Sequence, residues 1–341
     1  MKKFITPIIL IALCATFSVS AKVITVSNAP NSPGQYTSLQ TAIDSANAGD
    51  TIYVHGSSTS YGNVTIEKRI ILLGTGHNPS KTNPLVSEIG NIQLDTISGV
   101  SGASGTKIAG FKLNRVSGYA GVGGTKNIII QRNYFISSGT KISITGAGWA
   151  IENNIISSST VNANNHSTIV FRNNIFNSSY ISTSNQSTVL VVNNIFLGSA
   201  SALSTVSNAL IANNIFSGST PNGMNVNANT FSNNITYQTT SDIIPIGTNT
   251  GSGNFVAQNP QFMNVPTNSF NYSYDFSLDT ISPGINAGTD GTDIGAYGGS
   301  MPFVDMTGSP AIPQMKFVTI LNPVIPVGDS LNIIIKAKKQ N

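Results

Sequence analysis

The asparagine pairs Asn153-Asn154, Asn173-Asn174, Asn193-Asn194, Asn213-Asn214 and Asn233-Asn234 recur at a strict interval of 20 residues. Apolar pairs follow the first four: Ile155-Ile156, Ile175-Phe176, Ile195-Phe196 and Ile215-Phe216; Ile235-Thr236 follows the fifth. The second column extends back by 21 to Asn133 and forward by 20 to Asn254, so Asn133, Asn154, Asn174, Asn194, Asn214, Asn234 and Asn254 stand in register. A fixed period of this length is the mark of a solenoid, in which each repeat buries its apolar face only against its neighbours.

Two residues before the pairs stands an apolar column, Ile130, Ile151, Phe171, Val191, Ile211 and Phe231, and two earlier another, Ile128, Trp149, Ile169, Val189 and Ala209. This alternation predicts short strands with every second side chain inward, Trp149 among them. Twenty residues accommodate three short strands and three bends, and do not fit turns built from hexapeptides. Asparagine suits the bends because it tolerates left-handed backbone. Stacked asparagine amides at about 4.8 Å can also bond along their column. Phe176, Phe196 and Phe216 are expected to stack likewise, and Ser167, Ser187 and Ser207 form a further column. All three columns read as scaffolding.

Open solenoid ends expose strand edges and need caps. Residues 22–50 are expected to form the N-terminal cap. Within it, Thr37-Ser38-Leu39-Gln40 reads as a capping box opening a short helix, with Leu39, Ala42, Ile43 and Ala46 on one face and Gly49 at its end. The coils then occupy 51–257, about ten of them in a rod of about 48 Å. A closing module is expected over 258–300. Residues 301–341, punctuated by Pro302, Pro310, Pro313, Pro323 and Pro326, are expected to be a tail or cap strands.

At the N-terminus, Lys2 and Lys3 precede an apolar run from Phe4 to Phe17 and the small residues Ser18 to Ala21. This is the pattern of a secretory signal peptide, residues 1–21, and the run is short for a membrane span. Cys14, the one cysteine, lies within it, so the mature chain would hold no disulfide or thiol. Removal of Lys2 and Lys3 leaves 15 basic against 13 acidic residues. Charged residues are 9% of the chain, against about 25% in ordinary domains. That excludes a nucleic-acid binder, and recurrent apolar residues exclude disorder.

Several phrases resemble the right-handed parallel β-helix superfamily of pectate and pectin lyases. Tyr36 to Ile43 followed by Ala48 to Val54 is similar to its N-terminal cap and first coil, and Ile108-Ala109-Gly110-Phe111 to the phrase opening its regular coils. Asn259-Pro260-Gln261-Phe262, Ile281 to Gly288 and Asp293 to Gly298 resemble the closing module of choice-of-anchor Q bacterial surface proteins. The resemblance implies an all-β, right-handed parallel β-helix with an N-terminal helical cap and a C-terminal β-rich cap. For chemistry it implies little, since lyases, hydrolases, esterases and adhesins share this fold.

Lyases of the superfamily use Arg or Lys as base, often with acids holding Ca²⁺, and its hydrolases use clustered carboxylates. From Asn173 to Ser241 no side chain is charged, which argues against a hydrolase on those coils. Lys107, Lys112, Arg115, Lys126, Arg132 and Lys141 follow one another with no acid among them, and Asp242, Asp275, Asp279, Asp290, Asp293 and Asp305 with no base. The early coils are therefore expected to be basic and the C-terminal end acidic. Those six bases are the candidate carbohydrate-binding residues, and Lys112, Arg115, Lys126 and Lys141 the candidate lyase bases. The alternative is a set of solvated cations. Glu152 and Arg172 are expected to pair across adjacent coils, and Arg132 to end the first asparagine column.

Asp290 and Asp293 match no specific calcium loop, and His55, His77 and His166 are scattered, so no metal and no cofactor is expected, Ca²⁺ entering only with a lyase. Tyr53, Tyr61, Tyr119, Tyr134, Trp149 and Tyr180 are the aromatics available for sugar stacking. The leading expectation is a secreted or cell-surface scaffold, polysaccharide-contacting or adhesin-like, that meets an extracellular polysaccharide or a cell-surface component without catalysis. The alternative is a polysaccharide lyase acting on uronate-containing glycans. An ice- or surface-binding solenoid would need a long threonine array, and only Thr168 and Thr188 begin one before Asn208 breaks it.

Overall fold

The computed structural model describes residues 21–341 apart from 31–33, 82, 97–101, 137, 165–167, 185–187, 199–200, 304–305, 311–313, 323, 325 and 339–341. The signal-like segment with Cys14, together with His166, Ser167, Ser187 and Asp305, lies outside the described residues.

The chain winds into a parallel β-helix with three faces. The first face is a ten-stranded sheet whose neighbours are successive coils, as in Trp149↔Ile169↔Val189 and Ile151↔Phe171↔Val191. The second and third faces join in a thirteen-stranded sheet through the strand Lys112–Ser117, which pairs with Tyr134–Phe135 near its start and Gly139–Ile144 near its end. Strands complete about eight turns, fewer than the ten expected, because the last coils thin to single bridges, Thr230↔Thr250 and Ile235↔Phe255. The first sheet also begins earlier than Thr51, at Val23–Val26, whose residues pair in register with Thr51–Val54.

Inward side chains form one continuous core, with Trp149 fully buried and its indole N–H donating to the Thr125 carbonyl at 2.6 Å. Phe176, Phe196 and Phe216 stack with centroids 4.6 and 5.0 Å apart. The helix Leu39–Ser45 packs on the strands Val23–Val26, Thr51–Val54 and Val64–Ile66 through buried Leu39, Ala42 and Ile43. Its N-cap is Ser38, whose hydroxyl accepts from the Thr41 N–H, so the box read from Thr37 is displaced by one residue. Gln40 has another use. Its Oε1 accepts from Thr65 N at 2.8 Å and its Nε2 donates to Thr65 O at 3.0 Å, serving the strand edge as a neighbouring backbone would.

The two asparagine columns divide their work. The first of each pair, Asn153, Asn173, Asn193, Asn213 and Asn233, turns the corner with φ between +52° and +57°. The second is buried within the stack. Asn154 Nδ2 donates to Asn174 Oδ1 at 3.0 Å, Asn174 to Asn194, Asn194 to Asn214 and Asn214 to Asn234 at the same distance, and each also donates to an inner-strand carbonyl. Arg132 stands at the end of the first column, in the place an asparagine holds in the later coils. It adopts φ +55° like the asparagines above it.

Residues 258–303 and 306–310 do not simply close the last coil; they return along the outside of the solenoid as a strap. The apolar pairs after each corner explain why. In each pair the second residue points into the core, while Ile155, Ile175, Ile195, Ile215 and Ile235 point outward in a stripe. Phe276, Ile294, Ala296 and Phe303 bury that stripe in a second core. First-column amides hold the strap by its backbone: Asn233 donates to Ala287 O, Asn193 to Gly295 O, Asn173 to Gly298 O and Asn153 to Met301 O. Arg132 continues the row by donating to Ser309 O at 2.8 Å.

The strap ends in a clasp on the early coils. His77 N donates to Thr307 O, and Ser309 Oγ to Thr75 O. Beyond it, Gln314–Ile320 and Ile333–Lys338 pair with each other as an antiparallel hairpin. Ile333, Ile334 and Ile335 on that hairpin are exposed.

Candidate functional site

Coiling redistributes the six candidate bases. Lys112 pairs in register with Glu88, and its Nζ lies 2.9 Å from the Glu88 carboxylate. Lys107 stands on the first face, its ammonium destabilised chiefly by burial and, secondarily, by Arg132, while Glu152 supports it. Glu152 itself accepts from Arg172 Nε at 2.8 Å, in the expected pairing across one coil. Acids absent from the linear basic stretch thus enter it from the coils on either side, and the early coils are less basic than their sequence implies.

Lys141 is 1% exposed, at a register shift between Thr140 and Ile142, and its Nζ lies 3.4 Å from Ser138 O. Burial pushes its pKa down. It is therefore not a solvated surface cation, and it lines neither of the two concavities described below. Lys126 is exposed in the loop before Ile129–Gln131. The six bases do not meet in one surface.

Arg115 is the candidate that lies in a concavity. Three strands, Val64–Ile66, Glu88–Leu94 and Lys112–Ser117, stack in register with Thr65 beside Gln93 beside Ser117, and Asn91 beside Arg115. Together with Asn63 and Gln40 these residues line a groove of about 310 Å³. Its shape is set by side chains already bonded to backbone. Asn63 Oδ1 accepts from Asn91 N at 2.8 Å, Gln93 Nε2 donates to Leu94 O at 3.2 Å, and Gln40 holds the Thr65 edge. Arg115 is exposed, so its guanidinium is the charged group over a floor of amides and hydroxyls. No carboxylate lines the groove. Such an arrangement donates and accepts hydrogen bonds and attracts an anion, but offers no acid–base pair within reach of a bound ligand.

Among the described residues no three or more His, Cys, Asp or Glu gather as metal ligands. The Asp290 carboxylate instead accepts from Thr292 Oγ1 at 2.7 Å, which lowers its pKa, and Asp293 accepts from Asn286 N at 2.9 Å. These acids shape turns of the strap. The aromatics disperse as well: Tyr61 donates to His55 O, and Tyr134 packs between His77, Phe270 and Tyr272.

That last cluster escaped the sequence reading. His77 is fully buried, its Nδ1 2.9 Å from the Tyr272 hydroxyl, and burial drives its pKa down to about 3. Burial also raises the Tyr272 pKa, so both groups are neutral and the contact is an uncharged hydrogen bond. The two residues are 195 positions apart, and no local pattern joins them.

Scanning the chain against protein-family models finds no match, and a search of curated proteins finds none. Among solved structures the chain is similar to a crystal structure of pectin methylesterase from Aspergillus niger in deglycosylated form. Identity is 13%, over 69% of this chain and 87% of that chain, with a TM-score of 0.25.

Proposed function

We propose that this chain is a secreted or cell-surface β-helix that contacts extracellular polysaccharide through the Arg115 groove, as a binding scaffold and not a catalyst. The observation that carries the reading is the groove's lining: amides and hydroxyls around one guanidinium, without a carboxylate. Uncharged hydrogen-bonding groups held in place by their own backbone bonds suit the hydroxyls of a sugar chain, and Arg115 suits an acidic group on it. The basic, apolar, small-residue order of residues 1–21 supports export. The alternative reading, a lyase acting on uronate-containing glycans, has Arg115 as its base, and the lining supplies no carboxylate to hold Ca²⁺ beside it.

The test mixes the purified protein with pectate, alginate and neutral glycans, with and without Ca²⁺, and follows both co-sedimentation and ultraviolet absorbance. Retention of a glycan that falls about tenfold in Arg115→Ala, with flat absorbance, supports the scaffold. Rising absorbance from the unsaturated product of an elimination overturns it in favour of the lyase. Retention unchanged in Arg115→Ala removes the groove from the reading.

A further inference from the structure

A second concavity lies where the last coils meet the strap, far in sequence from the Arg115 groove. Its lining includes Tyr237, Gln238, Asn259, Gln261, Thr267 and Asn268, encloses about 320 Å³, and contains no Asp, Glu, Lys or Arg. We infer that this cleft is a separate binding site for a neutral saccharide unit.

The walls come from two successive coils and the strap, tied by a relay of uncharged hydrogen bonds. Ser217 Oγ donates to Asn268 Oδ1 at 2.7 Å, Asn268 Nδ2 to Gln238 Oε1 at 3.1 Å, and Gln238 Nε2 to the Tyr237 hydroxyl at 3.2 Å. The direction of this relay matters. Tyr237 accepts from Gln238, so its own O–H proton is left to donate outward. Asn259 Oδ1 is taken by Gln261 N at 2.9 Å, which turns the Asn259 amide N–H groups away from that bond. The Gln261 side chain makes no hydrogen bond among the described residues. The cleft therefore presents donors and an amide with both donor and acceptor capacity, on a frame already held in place.

The ligand's class follows from charge. An anion entering here would lose its hydration with no cation to replace it, and a cation would meet no carboxylate. A polyhydroxyl compound loses less, because amides pair with hydroxyls of either polarity. Buried Pro260 and half-buried Phe262 border the cleft, but its surface is chiefly polar, so hydroxyl contacts rather than an apolar ring face carry the recognition. The volume is at the lower end of ligand cavities and suits one sugar or the end of a chain.

The experiment is calorimetric titration of the protein with neutral xylo-, manno-, cello- and galacto-oligosaccharides and with oligogalacturonate. One neutral series is expected to saturate a single site, with oligogalacturonate failing to displace it. Gln261→Gly keeps the left-handed backbone of that residue (φ +53°) while removing its amide, and Tyr237→Phe removes only a hydroxyl. Each is expected to weaken neutral binding by about tenfold, and Arg115→Ala to leave it unchanged. Absence of saturable neutral binding overturns the inference, as does binding indifferent to both cleft variants. Neutral binding lost in Arg115→Ala instead assigns the sugar to the first groove.

Discussion

Asn173 Nδ2 donates to the carbonyl oxygens of both Ala296, at 2.9 Å, and Gly298, at 2.7 Å, so one corner amide of the solenoid grips the strap at two points. The neighbouring Asn174 faces the other way and bonds along the buried column. Two asparagines adjacent in sequence thus serve two layers of the molecule.

That division predicts unequal costs. Asn174→Ala removes the acceptor of Asn154 N and Nδ2 and the donor to Ile151 O, leaving buried polar groups unsatisfied. It is expected to destabilise by about 2–4 kcal/mol, read from urea unfolding. Asn173→Gly keeps the positive φ and loses only the strap bonds, so its cost should be about 1–2 kcal/mol. Equal costs would contradict the separation of the columns.

The strap should loosen before the coils do. With Asn173→Gly and Asn193→Gly combined, limited proteolysis is expected to cut within 284–309 several times faster, and the exposed isoleucine stripe to bind a hydrophobic dye. Cuts appearing first in the coils would show that the amides do not hold the strap.

His77 makes stability depend on pH. Its folded pKa, about 3, lies below the free value of 6.5, so between those values the unfolded chain takes up a proton that the folded chain refuses. Stability is full above pH 6.5 and falls as pH drops through that window, with a slope approaching 1.4 kcal/mol per pH unit, to an order of magnitude. Carboxylates with lowered values, Asp50 and Asp290, contribute only near and below their free value of 3.8. Unfolding midpoints measured from pH 7 to 4.5 should therefore fall less in His77→Phe than in the parent.

Close approach at the clasp is enforced by glycine. A Cβ on Gly308 would lie 2.1 Å from the His77 ring, at a φ of +68°. Gly308→Ala is expected to lower the thermal midpoint and to release the strap tip to protease, whereas Gly291→Ala, with nothing near its Cβ, should leave the tip protected.

The Phe196 ring is held between Phe176 and Phe216 with interplanar angles of 8° and 9°. Phe196→Ala opens a cavity in the core and is expected to cost about 3–5 kcal/mol by chemical denaturation, Phe196→Leu about half as much.

The coils were legible because their cause is periodic. An inward side chain every second residue and an asparagine every 20 leave a trace in the sequence itself, as does the buried tryptophan in its column. The isoleucine before each phenylalanine was equally visible, but its direction was not, since an apolar residue facing outward announces only that something covers it. Gln40 shows the same limit: its spacing from Thr37 fitted a cap, while its amide went to Thr65.

By itself the amino-acid order determined a stacked β-solenoid, because its repeat makes every coil depend on the next through contacts 20 residues apart. Only the tertiary structure decided where charge lies, what covers the isoleucine stripe and where His77 meets Tyr272. Those depend on which distant segments coiling brings together, as with Glu88 beside Lys112 and Thr307 beside His77. A repeat records contacts between copies of one pattern; contacts made once, between unlike segments, leave no period to read.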